Sequence, residues 1–76
     1  MPNGLEHNLH DQRTVIARHR KTGRWVTVQE FDDAAEARAY ASSMNLRANA
    51  SHHTFEAIAG DWSAGKAECQ RRNSTT

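Results

Sequence analysis

Two runs near the start of the chain alternate with a period of two. From Arg13 to Arg20, Val15, Ala17 and His19 fall on one side, and Thr14, Ile16 and Arg18 on the other. From Trp25 to Phe31, Trp25, Thr27, Gln29 and Phe31 oppose Val26, Val28 and Glu30. Alternation carried by β-branched and aromatic residues is the signature of strands whose two sides meet different surroundings. Lys21-Thr22-Gly23-Arg24 lies between the runs. Gly23 can take the positive φ that a short hairpin loop requires, so the two strands are expected to pair directly.

The period then lengthens. Ala37, Tyr40, Ala41 and Met44, continued by Ala48, share one helical stripe. Asp32 or Asp33 can cap this helix, Asp33 and Glu36 have capping-box spacing, and carboxylates here suit the positive end of the helix dipole. Asn45 is expected to stop the helix in the left-handed conformation, with Leu46 folding back onto the last turn. After a loop from Arg47 to His53, Phe55, Ala57 and Ala59 alternate with Thr54, Glu56 and Ile58 as a third strand.

These elements predict an α+β fold. It is a small three-stranded antiparallel sheet in ββαβ order, with one main helix packed on one face. The expected core is Val15, Val26, Val28, Phe31, Ala37, Tyr40, Ala41, Met44, Phe55 and Ile58. Residues 13–60 form the domain. Residues 1–12 read as a flexible N-terminal segment in which Leu5 and Leu9 are spaced i,i+4, and 61–76 as a weakly helical or disordered tail. No internal repeat is visible. Which face of the hairpin meets the helix is left open by the pattern.

At 76 residues and 37% hydrophobic, much of it alanine, the chain builds only a thin core. Such a core favours a flat binding surface over a deep catalytic cleft. The net charge of +1 predicts no partner, but its distribution is uneven. Five basic residues and no acid lie between Arg13 and Arg24, while four acids and no base lie between Glu30 and Glu36. The single cysteine, Cys69, excludes an intramolecular disulfide and fits a reducing compartment. With no apolar signal core or membrane-length apolar run, the expectation is a cytoplasmic protein without a membrane partner.

Several short patterns touch on chemistry. Gly60-Asp-Trp-Ser-Ala-Gly65-Lys66-Ala67 approaches the P-loop, but Ala67 lacks the hydroxyl that would bind magnesium, and too little chain follows to build a nucleotide-binding sheet. Ser63 and Lys66 have the S-x-x-K spacing, and Lys21-Thr22-Gly23 spells K-T-G, with no S-D-N to complete an acyl-transfer site. His7, His10, His19, His52 and His53 lack metal-ligand spacing and read as surface residues. Cys69, near Lys66, Arg71 and Arg72, reads as an incidental thiol. Asn49-Ala-Ser51 is a sequon without a secretory context. No cofactor, metal or catalytic residue is expected, and the protein is not expected to be an enzyme.

Two binding surfaces remain. Arg18, Arg20, Lys21 and Arg24, with Trp25 beside them, form a basic hairpin tip of the kind that neutralises phosphates and stacks bases. Glu30, Asp32, Asp33 and Glu36 form an acidic cluster that can cap the helix or mimic an anionic ligand.

Gly23-Arg-Trp-Val-Thr-Val and Phe31-Asp-Asp-Ala-Ala-Glu-Ala-Arg-Ala-Tyr40-Ala resemble AP2-like DNA-binding domains and the arm-binding domains of phage tyrosine integrases. The resemblance covers residues 13–45. It implies a sheet that enters the DNA major groove, with Arg18, Arg20, Arg24 and Trp25 facing the DNA. In size and element order the chain is also similar in style to small bacteriophage accessory proteins, including anti-CRISPR inhibitors, which act by surface complementarity. The expected function is therefore a non-catalytic protein that docks on and blocks another macromolecule, in first place a protein such as a CRISPR effector complex. The alternatives are a nucleic-acid-binding module using the hairpin tip and a homodimer formed through an open sheet edge.

Overall fold

The structure, a computed structural model, describes residues 12–47 and 52–74. The expected N-terminal segment up to residue 11, His7, His10, Ala48 and the sequon at 49–51 lie outside the described residues. Three strands, β1 (Thr14–His19), β2 (Trp25–Glu30) and β3 (His53–Ile58), form one sheet in the order β2-β1-β3, and both outer strands run antiparallel to β1. The antiparallel α+β architecture is as the alternation implies. Helix α1 (Ala34–Leu46) covers one face and helix α2 (Trp62–Ser74) the other.

Helix α2 occupies the stretch from 61 onward that the sequence leaves as weakly helical or disordered. Its sequence signal is faint because the residues it buries, Gly65 and Cys69, are small. With a helix on each side, β1 is covered on both faces, and Thr14, Val15, Ile16 and Ala17 are buried there. Val15 packs with Ala37 and Ala41 of α1, joined by Val28, Phe31, Tyr40, Phe55 and Ala57. Ile16 packs with Ile58 and Cys69, joined by Trp25. Ile16, Ala17, Thr14 and Cys69 thus add to the expected core. Val26 departs from it, being 47% exposed.

The hairpin face left open by the sequence is now assigned: Val15 and Ala17 face α1. The alternation along β2 breaks once. Thr27 opposes Ile16, yet Gln29 opposes Val15, so Val28 is the extra residue of a β-bulge. Beyond it the two faces exchange. Phe31 joins Val28 on the α1 side, and Glu30 turns to the α2 side, where it accepts the Trp62 backbone N–H at 3.1 Å. The strict alternation expected from Trp25 to Phe31 therefore holds only as far as the bulge.

A shift of 28 residues carries β2 onto β3 and α1 onto α2 with the same bounds, six residues for each strand and thirteen for each helix. Although no repeat is visible in the sequence, the fold is two βα units around a shared strand. An approximate two-fold axis along β1 exchanges the units and the faces of the sheet. Each helix packs mainly on the other unit's strand and on β1, α1 on β3 and α2 on β2.

Equivalent positions do equivalent work. Asp33 Oδ1 accepts the Glu36 N–H at 2.8 Å, and Asp61 Oδ1 accepts the Ala64 N–H at 3.1 Å, each starting a helix. Ala37 and Gly65 are buried at matched positions, as are Ala41 and Cys69. Near the end of each helix an asparagine binds the backbone of an edge strand. Asn45 accepts the Phe55 N–H at 2.8 Å and donates to the Phe55 C=O at 2.9 Å. Asn73 does the same for Trp25, at 2.8 and 3.1 Å. Asn45 was expected as a left-handed helix stop. It is helical instead, Arg47 is the C-cap, and Leu46, expected to fold back, is 84% exposed.

Candidate functional site

β2 runs away from the β1–β2 turn and β3 runs in the same direction, so both helices begin at the far end of the sheet and finish at the turn end. The turn end gathers Arg18, Arg20, Lys21 and Arg24 of the hairpin, Arg47 at the close of α1, and His19, His52 and His53. The far end gathers Glu30, Asp32, Asp33, Glu36 and Asp61. Each helix therefore has carboxylates at its amino end, and cations close its carboxyl end, the arrangement that complements the helix dipoles.

The turn is held by its own residues. Gly23 has φ of 78° and donates its N–H to the His19 carbonyl at 2.8 Å, while the His19 N–H donates to the Arg24 carbonyl at 2.8 Å. His19 Nδ1 accepts the backbone N–H groups of Lys21 and Thr22, both at 3.2 Å, which fixes the ring on the turn. That ring stacks on His52 with centroids 6.1 Å apart and meets His53 edge-on at 5.0 Å. The Arg20 N–H donates to the His52 carbonyl at 2.8 Å, binding the hairpin to the approach of β3. The three histidines brace this end of the sheet, and among the described residues no group of three or more His, Cys, Asp or Glu is placed to hold a metal ion. Their sequence spacing gave no sign of the cluster, because β1 and β3 must pair before it exists.

The structure brings Arg18, Arg20, Lys21 and Arg24 to one rim. Arg20, Lys21 and Arg24 are exposed, and the Arg18 guanidinium lies over Gly23. No ion pair engages these four among the described residues, in contrast to Arg13, Arg71 and Arg72. Trp25 is the cross-strand partner of Arg18 on the α2 side of the sheet, where the Arg72 guanidinium covers its ring at 4.3 Å from the centroid. A base-stacking role carried over from the resemblance would first have to displace Arg72.

Arg72 is a hub. Its terminal nitrogens donate to both Glu56 carboxylate oxygens at 3.1 and 3.0 Å, and its Nε donates to Glu68 at 2.6 Å. The bond to Glu56, first among several, raises the guanidinium above its usual range. Hydrogen bonds from Arg71 and then Arg72 hold the Glu68 carboxyl at about 2.

The acidic candidates are largely occupied with the fold. Glu30 caps α2 and faces Arg13 at 3.8 Å, and Asp33 caps α1. Asp32 and Glu36 are exposed beside them. The run from Gly60 to Ala67, with its P-loop and S-x-x-K likeness, is the entry and first half of α2. Cys69 is core: it is 5% exposed and accepts the Thr27 hydroxyl at 3.7 Å. Among the described residues no helix is long and apolar enough to cross a membrane. Comparison with protein-family models, with curated proteins and with solved structures finds no match to this chain.

Proposed function

We propose that this protein is a non-catalytic docking protein that presents its basic end to an acidic face of another protein and blocks it, in the manner of small phage-type inhibitors. One observation carries the reading. Arg13, Arg71 and Arg72 are spent in ion pairs within the fold, whereas Arg18, Arg20, Lys21 and Arg24 share one rim with no carboxylate among the described residues against them. Like charges brought together without counterions cost stability and are relieved by an anionic partner. The test is proximity crosslinking in cells making the protein, comparing it with an Arg18/Arg20/Arg24 triple-glutamate variant shown to be folded by circular dichroism. A target captured by the parent and lost by the variant supports the reading, and an identical capture profile sinks it.

The same rim favours a second reading, a nucleic-acid-binding module that uses phosphate contacts alone. Three such contacts would weaken binding to a random duplex about 40-fold between about 50 and 200 mM salt. The triple variant would not bind the duplex at all. Absence of duplex binding at low salt removes this second reading.

A further inference from the structure

The two βα units act as controls for each other, and one difference between them lies on an open face of the sheet. Each helix sits over the opposite unit's strand, so each outer strand has one face that its own helix leaves largely uncovered. On β3 that face carries Thr54 and Glu56, both exposed, with Glu56 paired to Arg72. The same positions on β2, found by the shift of 28, are Val26 and Val28. Val26 is 47% exposed and Val28 is half-buried; past the bulge the exposed Gln29 shares this side, and Phe31 is half-buried against Tyr40. The fold therefore accommodates polar residues at this place, and β2 has apolar ones.

We propose that this face of β2 is the contact surface of a homodimer, with two copies packed face to face and their β2 strands antiparallel. The order of charges along the strip selects the partner. Arg20, Lys21 and Arg24 precede Val26 and Val28, and Asp32 and Glu36 follow. Turning a second copy through half a turn about an axis near Val28 sets valines against valines. It also sets the cations of each copy against the acids of the other. A strip that is basic, then apolar, then acidic is complementary to its own reverse, as an isologous interface requires. The contact is through the face, because an incoming strand at either edge would have to displace an asparagine, Asn73 from Trp25 or Asn45 from Phe55. The patch is small, which places the dimer among weak, salt-sensitive associations.

Sedimentation velocity on the full chain at rising concentration, up to about 1 mM and at low salt, tests the proposal. The expected result is a monomer–dimer equilibrium weakened at least tenfold by Val26→Thr, which installs the residue found at the matched place on β3. Arg24→Glu and Asp32→Lys should each weaken the dimer, and the two together in one chain should restore it. Circular dichroism confirms that each variant is folded. A chain that stays monomeric throughout, a dimer indifferent to Val26→Thr, or a charge pair without rescue each overturns the proposal.

Discussion

Gly65 sits where helix α2 crosses the sheet, and a Cβ built on it would lie 2.6 Å from Thr14 Cγ2 and 3.1 Å from Thr27 Cγ2. Thr14 is fully buried, and its hydroxyl donates to the Gly60 carbonyl at 2.8 Å, so its rotamer is held. Gly65→Ala therefore sets two effects against each other. Alanine gains about 1 kcal/mol of helix propensity, while the overpacked contact costs about 1–3 kcal/mol. The expected outcome is net destabilisation in urea unfolding, reversed when Thr14→Ser removes the obstructing methyl. The matched residue on the other side is Ala37, fully buried, where the sheet stands far enough off to accept a methyl.

Glu68 is a second case at this scale. Its folded-state carboxyl lies at about 2, below its ordinary 4.5, so its bonds to Arg71 and Arg72 contribute above the ordinary value and are lost as pH falls through the folded one. Acid unfolding of the parent should thus show a loss between these two values that Glu68→Gln lacks. The pair with Arg71 is largely solvated, which keeps the effect small.

Among the elements, the helices carry the least obvious device, an asparagine that stands in for a neighbouring strand. Asn73→Asp keeps the oxygen that receives the Trp25 N–H but puts a second oxygen against the Trp25 carbonyl. It should cost about 1–2 kcal/mol, a fall in melting temperature of roughly 5–15 °C, with Asn73→Ala in the same range. Asn45→Asp should behave alike at Phe55. Removing both should expose the two edges and promote concentration-dependent aggregation, readable by light scattering.

The strands and α1 were legible in the sequence because alternation, the Gly23 turn and the Asp33 cap are local signals. The bulge at Val28 was not, since the periodicity simply reverses without a glycine to mark it. Helix α2 was not, because Gly65 and Cys69 make a buried stripe with little hydrophobic contrast. The repeat escaped because only Asp33/Asp61, Ala39/Ala67 and Asn45/Asn73 are identical between units. The basic rim was readable from the hairpin run, whereas Arg47 and the histidine trio reach it only through tertiary pairing. Trp25 looked available for stacking because nothing local announces Arg72.

For the molecule as a whole, two antiparallel pairings and two helices running in one direction give a body that is polarised from end to end. That polarity underlies both the proposed docking surface and the proposed self-association. The strand at its centre has a further consequence, for the order of events during synthesis. β1 leaves the ribosome before either helix, yet one of its faces waits for α1 and the other for α2. A nascent chain that has released β1, β2 and α1 can close over Val15 while Ile16 is still wet. The last turn of α2 supplies Arg72 and Asn73, which reach back to Trp25. Closure therefore depends on a contact between residues 48 apart in sequence, the kind of distant pairing that slows folding. A strand made before both helices is thus complete only when the second of them has closed.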